Sequence, residues 1–139
     1  MRDLVALCLL VVALHSCSST VTPSPRAEAF EPFLGRFIAD EGFRLHRITY
    51  PLSVKLGDKC EGEWEEASWP REKARSEGVA PLTKQELKAD GLKQRITRVS
   101  SGKVEVFQYQ PEADSYLLTY RFELVGGLWF LTYLEDASC

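Results

Sequence analysis

The sequence predicts an α+β domain in which an N-terminal amphipathic helix packs in a curved antiparallel sheet. Three observations carry that prediction. Phe30, Phe33, Leu34, Phe37 and Ile38 recur at the three-and-four spacing of one helical face. Ile48, Tyr50, Leu52, Val54 and Leu56 alternate against Arg47, Thr49, Ser53 and Lys55, the period of a half-buried strand. From Gln94 onward, apolar alternation is broken only by short turns, as in an antiparallel meander. Helix first, then strands with a helical insert, is an α+β order.

In the first helix, Glu31, Arg36 and Asp40 fall mainly off the apolar stripe. Pro32 sits in the first turn, where its missing N–H costs little, and Gly42 is expected to end the helix. In the strand that follows, Pro51 cannot donate to a ladder and predicts an edge strand or a bulge. Residues 57–81 are irregular, punctuated by Gly57, Gly62, Gly78 and Pro81. A short helix is expected from Pro70 to Glu77, with Gly78 just past its end. Thr83 and Glu86 have capping-box spacing for another, reaching Ala89. Trp64 and Trp69 lie in this insert, where they pack it onto the core or, if exposed, form a binding surface.

Four strands are expected after it: Gln94 to Ser100, Lys103 to Gln110, Ser115 to Val125 and Leu128 to Glu135. Ser101-Gly102 and Gly126-Gly127 are the hairpin turns. Tyr116, Leu118, Tyr120, Phe122 and Leu124 form one face, with Leu128, Phe130 and Leu134 as their expected partners across the hairpin.

The N-terminus reads as an export signal. Leu4 to Leu14 is an apolar run of signal-peptide length, and Leu14-His15-Ser16-Cys17 has the aliphatic, small and thiol positions of a lipidation site. The expected division is a lipoprotein signal peptide at 1–16, a lipidated N-terminus at Cys17 with a Ser/Thr/Pro tether over 17–27, and one globular domain at 28–139. An ordinary secretory cut, or an uncleaved anchor, are the alternatives. Cys8 would leave with the signal.

The chain carries a net charge of −3 with both signs mixed along it, and no basic stripe suits nucleic acid. Cys60 and Cys139 are a disulfide candidate in an oxidising compartment, or else two unpaired thiols. After processing His46 is the sole histidine, and there is no Cys-x-x-Cys pair, phosphate-binding loop or Gly-x-Ser-x-Gly elbow. No metal and no cofactor is therefore expected. Polar pocket candidates are Asp40, His46, Arg47, Tyr50 and Tyr120, with Arg121 and Asp136 behind them. Asp40 with His46 or Tyr50 has the chemistry of a general base with a hydroxyl donor. The favoured alternative is an Asp40–Arg47 ion pair fixing the helix-to-strand junction.

Phe30, Phe33, Phe37, Asp40, Phe43, Arg47, Ile48, Pro51 and Leu52, with Tyr120, Phe122, Trp129, Leu131, Glu135 and Asp136 near the end, resemble a family of Bacteroidetes envelope lipoproteins, domain of unknown function 4348. Arg44 stands where that family often has Gln, and Tyr50 where it has Phe. The resemblance implies a cystatin-like, nuclear-transport-factor-two-like cone and supplies no catalytic residues.

The leading expectation is thus an exported protein, lipid-anchored in the outer membrane and facing the periplasm. Its domain binds a ligand or a partner protein without catalysis. A small cone-fold enzyme of proton transfer or hydration–dehydration is the alternative, and an immunity or envelope-stress binding protein a further one.

Overall fold

A computed structural model describes residues 26–139. The expected signal peptide, the lipidation candidate Cys17, Cys8 and the expected tether up to residue 25 lie outside the described residues. The described elements are α1 (Phe30–Ala39), α2 (Glu41–His46), β1 (Ile48–Asp58), β2 (Glu63–Trp69), α3 (Arg71–Glu77), α4 (Lys84–Ala89), β3 (Lys93–Ser100), β4 (Lys103–Tyr109), β5 (Leu117–Val125) and β6 (Leu128–Asp136). The strands form one curved six-stranded sheet in the order β2-β1-β6-β5-β4-β3. Helices pack against it, as the α+β reading requires.

The apolar stripe of α1 explains the core. Phe30, Phe33 and Phe37 are buried and meet Phe122 of β5 edge-on, with ring centroids 5.2–5.6 Å apart. Phe30 also meets Trp129 of β6 at 5.1 Å. A buried side chain of this size contributes about 1.5–3 kcal/mol, and favourable ring geometry adds a little more. The interior of the cone is therefore filled by its own aromatic rings.

Four details depart from the sequence reading. First, the helix ends at Asp40, not Gly42. Asp40 leaves helical geometry (φ −118°, ψ 103°), and its carboxylate accepts from the Phe43 amide at 2.9 Å, starting α2 around Gly42. Second, β1 is not an edge, so of the two expectations for Pro51 the bulge is the one that holds. It lies between β2 and β6, and its register shifts between Ile48 and Ser53, around the cis Tyr50–Pro51 bond, so the irregularity at Pro51 sits inside the sheet. Third, the sheet is mixed, because β1 runs parallel to β6 while every other neighbouring pair is antiparallel. Fourth, β2 was not anticipated. Glu63-Trp64-Glu65-Glu66 has no apolar alternation, because both faces of this edge strand are largely exposed.

The inner face of β6 also differs. Trp129, Leu131 and Leu134 are buried, whereas Leu128 is exposed and Phe130 half-buried. Phe122 pairs with Leu131 and Arg121 with Tyr133, so Thr132 is an extra residue. One inserted residue switches the faces of the strand partway along it.

The turn chemistry follows the sequence closely. Gly126 and Gly127 take φ 58° and 82°, the positive pair that a tight hairpin requires. Thr83 and Glu86 form a reciprocal capping box at the start of α4. Cys60 and Cys139 are joined by a disulfide, Sγ–Sγ 2.08 Å, which ties the turn after β1 to the C-terminal residue.

Candidate binding groove

Of the polar residues singled out in the sequence, Tyr120 and Asp136 line one hollow, whereas Asp40, His46, Arg47 and Tyr50 do not converge on it. Asp40 is exposed, caps α2 and faces Arg36 at 3.7 Å. His46 is exposed, and its Nδ1 donates to the Gly42 carbonyl at 2.7 Å, one helical turn back. The Tyr50 hydroxyl is buried and has no hydrogen-bond partner among the described residues, and burial raises the pKa of the phenol. Tyr120 lies deep on β5 and donates to the Ala80 carbonyl at 3.1 Å, with its ionisation strongly suppressed by burial.

Arg47 pairs with Glu28, not with Asp40. Its Nη1 donates to Glu28 Oε2 at 2.8 Å and to the Trp129 carbonyl at 3.1 Å, and its Nη2 donates to Glu28 Oε1 at 3.2 Å. The other side of the knot is equally tied: the Trp129 amide donates to Glu28 Oε2 at 3.0 Å, and the indole Nε1 donates to the Glu28 carbonyl at 2.8 Å. Burial alone raises the Glu28 pKa. The Arg47 hydrogen bond, the Trp129 amide and the Arg47 charge outweigh it and hold the carboxyl below its usual value. A bidentate carboxylate next to a guanidinium stacked on Phe43 is a structural clamp between the start of α1 and β6. Arg44 serves the same corner by donating to the carbonyls of Phe37 and Ile38 at 2.9 and 2.8 Å, closing the end of α1.

Among the hollows of the described residues, two border the candidate residues or the first helix. One, of about 220 Å³, lies among Leu56, Trp69, Tyr116, Tyr120, Leu134 and Asp136. Burial and the Asp136 charge push the Tyr116 phenol up to about 12, which leaves it neutral and unsuited to act as a base. The other is larger, about 380 Å³, and almost wholly apolar. It is an open groove between α1 and the sheet edge, walled by Leu34 and Ile38 on one side, Ile96 on the other and Leu82 at one end. The sequence makes this space. Gly35 on α1 offers no side chain, and a Cβ there would meet nothing within 4 Å.

The far wall is held by a buried amide. Gln108, fully buried on β4, donates from Nε2 to the Leu82 carbonyl at 2.9 Å and to Gln94 Oε1 at 2.8 Å, while its Oε1 accepts from the Leu82 amide at 2.9 Å. Leu82 and the start of α4 are thereby fixed beside β3. Sequence reasoning placed Leu34 and Ile38 in the core and passed over Ile96 and Gln108. An apolar Ile96 in the charged run Lys93–Arg98 was the one available signal.

Among the described residues, the one cluster of metal-type donors is Asp58, Cys60 and Cys139, and its sulfurs are bonded to each other. No described helix is long and apolar enough to cross a membrane.

No protein-family profile matches the chain, and no curated protein matches it. Solved structures do. A crystal structure of an NTF2-like protein from Bacteroides fragilis superposes with a TM-score of 0.57 at 15% identity, over 81% of this chain and 48% of that one. The chain thus spans about half the length of that protein. An NMR structure of a protein from Bacteroides uniformis gives 0.53 at 27% identity, over 81% of this chain and 78% of that one. The fold is NTF2-like.

Proposed function

We propose that this is an exported, lipid-anchored envelope protein whose cone-shaped domain binds a partner at the apolar groove beside β3 and performs no catalysis. Membership of the envelope lipoprotein family numbered 4348 is part of the same proposal and rests on the residues quoted above. The observation that carries the binding reading is the distribution of space. Aromatic rings fill the cone, Asp40 and His46 face solvent, and an almost wholly apolar groove of about 380 Å³ runs beside Ile96, which is 42% exposed. Open apolar space of this kind serves recognition, and a general base needs a polar partner within hydrogen-bond reach.

The two halves of the proposal are tested separately. Intact mass of the full chain from a bacterial host should show an acylated Cys17 as the first residue, and Cys17→Ala should move the protein to the soluble fraction. Wild-type protein released without acylation would end the anchoring half. For the binding half, an apolar reporter dye should bind the native full chain. Ile96→Glu should abolish that binding, while Thr97→Glu on the opposite face should not. Equal loss from both, or no binding by wild type, would end it.

A further inference from the structure

The two edges of the sheet carry opposite charge. Glu63–Trp69 holds Glu63, Glu65 and Glu66 and no basic residue, whereas Lys93–Ser100 holds Lys93, Arg95 and Arg98 and no acidic one. The strands are of nearly equal length, 7 and 8 residues, and each is the last in its sheet with one side unpaired. None of the three glutamates has a basic partner within 4 Å among the described residues, and of the three cations only Arg98 has a carboxylate, Glu31 at 3.4 Å. Charges on edge strands usually prevent sheet-to-sheet pairing. Here each edge repels a copy of itself but attracts the other edge.

From this we infer that β3 and its groove receive β2 of a second copy of the chain, extending the sheet from one molecule into the next. The inference names the occupant of the groove proposed above and rests on that reading.

The topology fixes how the copies meet. Following the ladder across the sheet, β2 and β3 run in the same direction. Antiparallel pairing of β3 with the incoming β2 therefore requires the second copy to be turned over. Its outer face then lies beside the inner face of the first. Trp64 opposes Gly57 on the outer face, and Ile96 opposes buried Val106 on the inner one. The turned-over register that sets Trp64 opposite Ile96 also sets Glu65 opposite Arg95, on the other side of the joined sheet.

Trp64 is 45% exposed. In the single molecule its ring lies over Gly57, with Lys55 above it at 4.1 Å. In the assembly it turns toward the strand edge and enters the groove between Leu34, Ile38 and Ile96. Main-chain hydrogen bonds along the two edges provide the affinity, and the indole and the Glu65–Arg95 pair set the register. The contact is head-to-tail, so it leaves a free β2 at one end and a free β3 at the other and propagates as an open row.

The test is sedimentation of the purified full chain in detergent, across concentration, at low and high salt. The expected result is reversible self-association that weakens with salt. Arg95→Glu alone and Glu65→Lys alone should each weaken it about tenfold or more by placing like charges opposite one another. The double variant, which exchanges the two charges, should restore it. Micelle sharing through a lipid anchor cannot reproduce that rescue. A chain that stays monomeric, or a double variant no better than the singles, overturns the inference. A synthetic peptide of residues 61–69 separates the remaining cases. If it binds the full chain while the chain itself stays monomeric, the groove reading survives and the occupant is another acidic strand. If neither occurs, the groove reading fails as well.

Discussion

Replacing Glu28 tests whether Arg47 is a structural residue. The Glu28 and Arg47 side chains are 24% and 15% exposed, so solvent screens them only in part. Glu28→Ala removes both carboxylate contacts of Arg47 and the acceptor for the Trp129 amide. It leaves a largely buried guanidinium with one remaining acceptor, the Trp129 carbonyl. Losing a partly buried charge-assisted pair and orphaning an amide should cost about 2–4 kcal/mol. Glu28→Gln keeps one acceptor and should cost about half as much. The assay is urea unfolding of the full chain at neutral pH, run as double-mutant cycles. Glu28 with Arg47 should show a coupling of about 1–2 kcal/mol, and Asp40 with Arg47 should show none beyond about 0.5 kcal/mol. Equal couplings, or a Glu28→Ala cost below about 0.5 kcal/mol, would refute the clamp. The pH dependence has a definite sign. The Glu28 pKa is lowered on folding, so its contribution is present above the usual carboxylate value of 4.5 and is lost as the pH falls through the folded value. Glu28→Gln should flatten that acid limb.

Gln108→Ala should destabilise by about 2–4 kcal/mol, because it removes three hydrogen bonds at a fully buried amide and leaves the main-chain N–H and C=O of Leu82 without their side-chain partner. The same variant should speed hydrogen exchange around residues 81–84 more than in β1, and an unchanged exchange pattern would show that Gln108 does not hold the groove wall. Reducing the Cys60–Cys139 bond, or Cys60→Ser with Cys139→Ser, opens a closure spanning 79 residues and should lower stability by at most about 4 kcal/mol in thermal unfolding. Tyr50→Phe removes a buried hydroxyl that has no partner among the described residues and should be neutral or stabilising by up to about 1 kcal/mol, whereas a loss above that would mean the hydroxyl is used.

How much the sequence revealed depended on where each signal lay. The α1 stripe, the Thr83–Glu86 cap and the Gly126-Gly127 turn are local patterns, and each appears in the fold at the residues that announced it. The parallel β1–β6 pair is not local, because nothing near Ile48 specifies Leu131 as its neighbour. The extra residue Thr132 was hidden for a related reason. A bulge reverses the alternation without any glycine or proline to mark it. β2 lacked alternation because neither of its faces is buried.

The candidate site was less legible than the fold. Asp40 and Arg47 are close in sequence and opposite in charge, which made them an attractive pair. The tertiary structure instead brings Glu28 to Arg47 through Trp129, a residue 101 positions from Glu28. The groove arises from missing volume at Gly35 together with an apolar side chain on an otherwise charged strand, and its far wall depends on the buried Gln108 through Leu82. Absent side chains and buried amides leave no periodic trace. Trp64 was visible as an unplaced aromatic, but only the sheet order shows that it belongs to a free edge.

The claim that the β3 groove is where this protein binds is tested most directly by a photo-crosslinking residue placed at position 96 of the full chain in living bacteria, with positions 97 and 40 as controls. The account predicts a discrete adduct from position 96 and little from the other two, since Thr97 faces away and Asp40 sits at a corner occupied by its own contacts. Adducts from position 40 with none from position 96 would contradict it and return attention to the corner of Asp40 and His46.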